Sequence, residues 1–311
     1  MRIVQMNNQG LSTSTNNLNK QNQTTEIPQE AFDWYDEYAH GDIDRRTFLS
    51  RLATLGVAMT ALTSALLPNY ALAEQVSFND PDIKAEFLTL PSPQGHGEVK
   101  GYFVQPKNVS TATPTVLVVH ENRGLNPYIK DVARRLAKKG YTAFAPDILH
   151  TLGGYPGNDD EGKAMQKSMD RMKIEKDFIV AAKFLKNHSA SNGKLGVVGF
   201  CFGGYISNML AATIPDVINA AVPFYGTPAK EDVVSNIKGP IMLQFAEIDK
   251  RVNATWPAYE ALLKSKNITF EANIYPKTNH GFHNDSTARY NQEAAELAWS
   301  HTLRFFNQHI G

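Results

Sequence analysis

The chain has very little cysteine, with one residue, Cys201, among 311. This excludes an internal disulfide and a cluster of metal-binding thiolates, because each needs at least two cysteines. Cys201 is therefore a buried apolar side chain, half of an intermolecular bridge, or a reactive group.

Net charge is also absent, since 31 Lys and Arg balance 31 Asp and Glu. That balance argues against a nucleic-acid-binding protein that relies on general basicity. A hydrophobic content of 42% is close to the globular average and argues against disorder of the whole chain. We predict no cofactor and no metal, because the His280 and His283 pair lies in a glycine-containing loop rather than on a helix.

The N-terminal region differs from the rest in composition. Residues 1–40 begin with a polar stretch rich in Asn, Gln, Thr and Ser, and we predict that they are mostly disordered. Residues 41–73 resemble a twin-arginine export signal, with Arg45 and Arg46 before the uncharged stretch 52–73 and an A-x-A site ending at Ala73. The prediction is export to the periplasm or beyond by the twin-arginine machinery, with cleavage after Ala73 and no stable membrane insertion of the mature chain.

A membrane anchor is the alternative for this segment, because 22 uncharged residues can just span a bilayer. Pro68 and several Thr and Ser make it a poor span. However, the region before the arginines is acidic, whereas export signals usually begin with basic residues. The uncleaved anchor therefore stays open.

Residues 74–311 alternate between strand and helix patterns and have the length of one domain. Near-continuous apolar runs indicate strands covered on both faces, as in a mostly parallel central sheet with helices on both sides. The predicted strands are 85–90, 99–104, 115–119, 142–145, 195–198, 220–224 and 241–245. The predicted helices are 129–139, a long one over 163–186, 203–212, 256–265 and 288–306.

The strongest local motif surrounds Cys201, which follows a predicted strand and opens a predicted helix. Gly199 and Gly203 give the sequence G-x-C-x-G, a nucleophile elbow with cysteine in place of serine. The glycines permit a sharp turn, and the helix N-terminus favours a thiolate and supplies N–H groups to an oxyanion. We interpret Cys201 as a nucleophile rather than a buried structural thiol.

A nucleophile of this kind needs a base, and the base needs an acid that orients it. In this architecture both follow the nucleophile along the chain, the acid before the histidine. Asp249 comes just after a predicted strand and is our candidate acid, with Glu247 as the alternative. His280, in a loop after the next strand, is the candidate base.

Polar residues also follow the first central strand, at Glu121, Asn122 and Arg123. This loop usually supplies the second oxyanion donor, and the N–H of Asn122 is the candidate. A charged Glu121 beside a nucleophile needs a proton or a nearby cation. Arg123 can be that cation, or it can bind an anionic substrate through two hydrogen bonds. The two residues can also form a simple surface ion pair.

These motifs together resemble the dienelactone hydrolases, or carboxymethylenebutenolidases, over residues 80–311. The resemblance implies an α/β-hydrolase fold and hydrolysis of an enol-lactone by Cys201, His280 and Asp249. It also implies that Glu121 pairs with the cysteine, and that the N–H groups of Phe202 and Asn122 hold the oxyanion. The family arginine that binds the substrate carboxylate shortly after the histidine is absent here, and Arg123 or Arg289 are candidates to replace it.

The sequence predicts a cysteine-dependent hydrolase of a small-molecule lactone or activated ester that forms an acyl-enzyme thioester. A thioesterase or acyltransferase with the same triad is the nearest alternative, because the acceptor is chosen by the shape of the pocket. A non-catalytic binding protein on a hydrolase scaffold is the alternative from another class. The ordered presence of Cys201, Asp249 and His280 favours an enzyme.

Overall fold

A computed structural model of the protein describes residues 2–3, 27–55, 65–66, 68–71 and 73–311. Within these ranges a single sheet lies at the centre, and its strands follow the order β1-β9-β8-β7-β6-β4-β5-β3-β2. The strands are β1 Arg2–Ile3, β2 Ile83–Ser92, β3 Gly97–Pro106, β4 Thr113–Val119, β5 Thr142–Asp147, β6 Ser191–Phe200, β7 Ala220–Phe224, β8 Ile241–Ala246 and β9 Phe270–Tyr275.

The sheet is mostly parallel. The strands β2 and β3 form an antiparallel hairpin, and β3 pairs antiparallel with β5. From β5 onward every pairing is parallel, through β4, β6, β7, β8 and β9 to β1. The carboxyl ends of the parallel strands therefore meet along one edge, where α/β proteins place their binding sites.

Helices cover both faces of the sheet. They are α1 Gln29–His40, α2 Arg45–Ala53, α3 Pro127–Lys138, α4 Asp159–Ser168, α5 Arg171–Asn187, α6 Phe202–Thr213, α7 Glu231–Val234, α8 Lys250–Asn253, α9 Trp256–Ser265 and α10 Gln292–His309. Successive residues of β4 point to opposite faces, so Leu117 packs into one hydrophobic cluster and Val116 and Val118 into the other. This two-sided burial explains the unbroken apolar runs and confirms the predicted α/β architecture.

Two predicted helices differ from the structure. The region predicted as one helix over 163–186 forms two, α4 and α5, because Asp170 accepts hydrogen bonds from the N–H groups of Met172 and Lys173 and starts a new helix there. The last helix begins at Gln292 rather than at 288, and Asn291 caps it by accepting from the Ala294 N–H.

The predicted disorder of residues 1–40 is wrong for residues 29–40, which form α1. Its buried residues, Ala31, Tyr35, Tyr38 and Ala39, recur at helical spacing and give the helix one apolar face. The following helix, α2, buries Phe48, whose ring stacks on Tyr38 at 4.9 Å between centroids. The two helices thus share a small core of their own.

Much of the proposed export segment lies outside the described residues, namely 56–64, 67 and 72. Ala73, at the predicted cleavage site, is buried. Its carbonyl accepts a hydrogen bond from Arg135 Nη2 at 3.1 Å. Among the helices that the structure describes, none is long and apolar enough to cross a membrane.

Candidate active site

The nucleophile elbow forms where β6 turns into α6. Cys201 occupies the turn with φ 58° and ψ −111°, a left-handed conformation that is strained for a residue with a side chain. A Cβ on Gly199 would lie 2.0 Å from the Gly203 carbonyl oxygen, and one on Gly203 would lie 2.3 Å from the Val119 carbonyl oxygen. Both positions therefore require glycine, and their close contacts hold Cys201 at the carboxyl edge of the sheet.

The candidate acid and base meet beside the elbow. Asp249 follows β8 and His280 follows β9, and Asp249 Oδ2 lies 2.5 Å from His280 Nδ1. The Val252 N–H donates to the other carboxylate oxygen at 3.0 Å, which fixes the orientation of the carboxylate. Glu247, the alternative acid, is exposed and accepts instead from the Lys277 N–H at 2.7 Å.

The electrostatics of this group favour a charged pair. Burial lowers the pKa of His280, but the carboxylates of Asp249 and Asp36 and a Cys201 thiolate outweigh it and raise that pKa to about 10. Burial raises the pKa of Cys201, but His280 and His40 together hold it well below its ordinary value. A thiolate beside an imidazolium is therefore the favoured state near neutral pH.

A residue that the sequence analysis did not single out, His40, also touches the nucleophile. Its Nε2 lies 3.3 Å from Cys201 Sγ, and its Nδ1 lies 2.8 Å from the Asp36 carbonyl oxygen. Because we predicted disorder up to residue 40, the sequence analysis did not identify His40. The helical spacing of the apolar residues Ala31, Tyr35 and Tyr38 could have predicted a helix that packs against another part of the protein.

Glu121 is buried at the end of β4, but its observed contact differs from the one that the resemblance implies. Its Oε2 accepts a hydrogen bond from Asn284 Nδ2 at 2.9 Å, whereas Cys201 Sγ lies 3.3 Å from His40 Nε2. Burial raises the pKa of Glu121. The Arg123 guanidinium lowers this pKa, and a Cys201 thiolate raises it further. Glu121 therefore lies within electrostatic range of the thiol without being its hydrogen-bond partner here.

The two candidate oxyanion donors lie on adjoining elements. Phe202 is the first residue of α6, so its N–H is one of the free donors of a helix N-terminus. Asn122 follows β4, whose end touches the start of α6 through Val119 and Gly203. The Asn122 side chain donates to the Ala39 carbonyl at 2.8 Å, which ties this loop to α1.

The two candidate substrate arginines are buried and already paired. Arg123 Nη1 lies 2.5 Å from Asp159 Oδ2, so Arg123 is neither a surface residue nor the partner of Glu121 in an ion pair. Arg289 Nη1 lies 3.4 Å from Asp36 Oδ1, and its guanidinium covers the Tyr35 ring at 4.7 Å.

Arg289 nevertheless reaches the site. A Cβ on Gly281, the residue after His280, would meet Arg289 Nη2 at 2.9 Å. Arg289 Nε is buried and makes no hydrogen bond within the described ranges. An arginine thus lies next to the loop of the candidate base, although none follows His280 closely in sequence.

Three of these side chains also form a set that suits a soft metal ion. His40, Cys201 and His280 place their ligand atoms within 4.8 Å of one another, and each imidazole has a carboxylate near its other nitrogen. Arg251 Nη2, however, lies 2.8 Å from His40 Nε2. A guanidinium at that nitrogen competes with a metal for the same lone pair, and it must move away before the nitrogen can bind either a metal or a proton.

Comparison with known proteins places the chain in a family. A model of the dienelactone hydrolase family matches residues 99–310, and a model described as YqhI-like matches residues 19–58. "Protein usf" of Aquifex pyrophilus is 37% identical over 68% of this chain and 94% of its own length. The Escherichia coli K12 "Putative hydrolase fragment YghX" is 64% identical over 110 residues, which make up 35% of this chain and 94% of that fragment.

Solved structures agree with this placement. The crystal structure of a "Putative Dienelactone Hydrolase" from Klebsiella pneumoniae has 27% identity and a TM-score of 0.65, and the match covers 73% of this chain and 99% of that one. The chain belongs to the dienelactone hydrolase family and has its α/β-hydrolase fold. It is accordingly a hydrolase that acts on esters or lactones.

Proposed function

We propose that this protein hydrolyses a lactone or activated ester with Cys201 as nucleophile, His280 as proton carrier and Asp249 as the residue that orients His280. The observation that carries the proposal is the buried Asp249–His280 pair at 2.5 Å beside a strained cysteine at a helix N-terminus. Burial and charge favour a thiolate and an imidazolium there. This is the arrangement that an activated sulfur nucleophile requires.

In the first half of the reaction the Cys201 thiolate attacks the acyl carbon. The carbonyl oxygen becomes an oxyanion, which the N–H groups of Phe202 and Asn122 stabilise. The carbon–oxygen bond then breaks, and the leaving oxygen takes a proton from His280 Nε2. The products of this half are a thioester on Sγ, a neutral His280 and an alcohol or enol, which stays attached to the acyl group when the substrate is a lactone.

In the second half, neutral His280 removes a proton from water as the water oxygen attacks the thioester carbon. The carbon–sulfur bond breaks, the acid is released, and the thiolate and imidazolium are restored. In the part of the chain that the structure describes, His280 Nε2 is buried and makes no hydrogen bond. It is thus free to exchange a proton with both the leaving oxygen and the water.

The chemistry of sulfur narrows the substrate class. A thiolate readily displaces a stabilised enolate or phenolate, but it competes poorly with an alkoxide or amine leaving group. Enol-lactones and aryl esters are therefore the proposed substrates, rather than simple alkyl esters or amides.

A cleft of about 480 Å³ next to the elbow is the proposed substrate site. Its walls include both residues that carry the proposed oxyanion donors, Asn122 and Phe202, and also His40, whose Nε2 lies 3.3 Å from Cys201 Sγ. Cationic side chains also line it, namely Lys163, Lys167 and Arg171. A substrate that carries a carboxylate fits such a wall, because the cations favour a negative charge.

Replacement of Cys201 tests the proposal. We expect Cys201→Ala in the full-length chain to lower kcat/KM for p-nitrophenyl acetate or an enol-lactone by about 10³-fold or more, because the attacking atom is lost. His150→Ala is the matched control, since the His150 imidazole lies 2.9 Å from the exposed side chain of Glu98 at the surface. Unchanged turnover in Cys201→Ala would exclude cysteine catalysis.

A further inference from the structure

The helix α1 lies directly on the active site. Gln29, at its first turn, bonds the Asn279 side chain at 2.6 Å, and at its last turn the Ala39 carbonyl accepts from Asn122 at 2.8 Å. Lys163 Nζ donates to the Tyr38 carbonyl at 2.7 Å. Loops and helices on several sides of the site thus hold this one helix in place.

Charge complementarity explains the acidic character of α1. Asp33 lies 3.0 Å from Lys250 Nζ, and Asp36 lies 3.4 Å from Arg289 and 3.9 Å from Arg251. All three cations belong to segments that surround Asp249 and His280. Two of the acidic residues that are unusual before an export signal, Asp33 and Asp36, therefore have partners on the rim of the hydrolase site.

His40 ends α1 and faces the nucleophile. Its Nδ1 lies 2.8 Å from the Asp36 carbonyl oxygen and 3.3 Å from Asp36 Oδ1, so the ring is held as His280 is held by Asp249. Its Nε2 lies 3.3 Å from Cys201 Sγ. The ring centroid of His280 is 4.8 Å from that of His40, and its buried Nε2 makes no hydrogen bond to any residue that the structure describes.

We propose that His40 is a further catalytic residue, which takes the Cys201 proton and holds the resting thiolate while His280 serves the leaving oxygen and the water. The inference rests on the proposed function, because it assumes that Cys201 is the nucleophile. It assigns an active-site role to a helix outside the part of the chain that matches the hydrolase family model.

The Cys201 proton is exchanged only with His40. His280 enters the cycle already protonated, gives that proton to the leaving oxygen and regains one from the attacking water. The neutral His40 imidazole carries its proton on Nδ1, and its Nε2 accepts from Arg251 Nη2 at 2.8 Å. When the S–H bond breaks, a new N–H bond forms on Nε2 and donates to Sγ, and the bond from Arg251 is released. When a thioester is hydrolysed, Sγ leaves as a thiolate and finds this N–H in place.

Several charged or titratable groups face His40 and Cys201 and contribute to the pH dependence of their proton exchange. Burial lowers the pKa of His40, but the Cys201 thiolate and Asp36 outweigh it and raise that pKa. The facing groups are Asp36, Glu121, Asp249, Arg251, His280 and Arg289.

The test compares His40→Gln and His40→Ala with the full-length protein. Asp33→Asn is the matched control, since it removes a surface ion pair of the same helix without touching the thiol. The first readout is the pH profile of alkylation by iodoacetamide, which needs no substrate. An imidazolium favours the thiolate, so its removal should raise the apparent pKa of Cys201 by about one unit or more.

The second readout is turnover of p-nitrophenyl acetate. Both His40 variants should lose about 10- to 100-fold in kcat/KM, whereas Asp33→Asn should keep both the thiol pKa and the rate. The glutamine variant keeps most of the side-chain volume, so a loss shared by both variants does not arise from a hole in the packing.

Two results would overturn the inference. One is a wild-type thiol pKa and wild-type turnover in both His40 variants. The other is faster alkylation at every pH with an unchanged thiol pKa, which would mean that α1 only shields Cys201 from solvent. Either result, obtained while Cys201→Ala is inactive, would leave the proposed cysteine mechanism intact.

Discussion

At the residue scale, the surroundings of Cys201 distinguish it from an ordinary buried thiol. It has a positive φ of 58°, a helix N-terminus below it and two imidazoles within reach. Each imidazole is backed by a carboxylate, Asp249 for His280 and Asp36 for His40. A side chain used only for packing needs none of these features, whereas a thiolate needs the helix and the cations.

The choice of orienting acid gives a prediction at this scale. Asp249→Asn should lower kcat by about 10³- to 10⁴-fold, because an amide does not hold the His280 tautomer and does not stabilise its cation. Steady-state kinetics of the two variants Asp249→Asn and Glu247→Gln measure the effect. Glu247→Gln is the control, and a large loss there with normal activity in Asp249→Asn would reverse the assignment.

The sequence predicted the residues that a local pattern identifies. The G-x-C-x-G pattern predicts Cys201, and positions after strands predict Asp249 and His280. The structure brings these three side chains together, and their catalytic roles stay predictions. His40 was missed because its role depends on how α1 docks against loops from distant parts of the chain. The paired states of Arg123 and Arg289 were missed for the same reason, since Asp159 and Asp36 approach them only in the folded protein.

At the scale of elements, the elbow depends on the close approach of α6 to the end of β4. Gly203 is the point of contact, and the β4 loop that begins there carries the candidate donor Asn122. The spacing between these two elements therefore sets the distance between the nucleophile and the oxyanion donors.

Gly203→Ala tests this dependence. Its new methyl group would lie 2.3 Å from the Val119 carbonyl oxygen, so the two elements must separate. We expect the free energy of unfolding to fall by about 1–3 kcal/mol and turnover to fall further than the loss of folded protein explains. Urea unfolding and kinetics on the same sample measure both effects, and wild-type values for both would contradict the account.

The elements themselves were largely predictable, because strands buried on both faces leave unbroken apolar runs. The predicted strands all exist, with ends shifted by a few residues. The break between α4 and α5 was missed because it depends on one capping side chain, Asp170, inside an otherwise helical pattern.

At the scale of the whole molecule, the N-terminal segment and the hydrolase domain share one site. Cleavage after Ala73 would remove α1 and His40, and in the folded chain that position is buried. The adjacent N–H groups of Gln75 and Val76 donate to the buried carboxylate of Asp131. Cleavage must therefore precede docking of this segment, or the segment stays with the enzyme.

We propose export through the twin-arginine machinery as a separate property of the chain. Arg45 and Arg46 are exposed at the start of α2, where a receptor can reach them. Replacement of both by lysine should hold the precursor in the cytoplasm, as fractionation of cells that express the two forms would measure. Normal secretion of the double variant would exclude this route, and the size of the secreted form would report whether α1 is retained.

The central claim is that Cys201 carries the acyl group during turnover. The most direct test is the intact mass of the full-length protein, quenched during hydrolysis of an activated ester such as p-nitrophenyl acetate. We expect a mass increase equal to one acetyl group, located on Cys201 after proteolysis and missing in Cys201→Ala. An acetyl group on another residue at the rate of turnover, or full activity in Cys201→Ala, would contradict it.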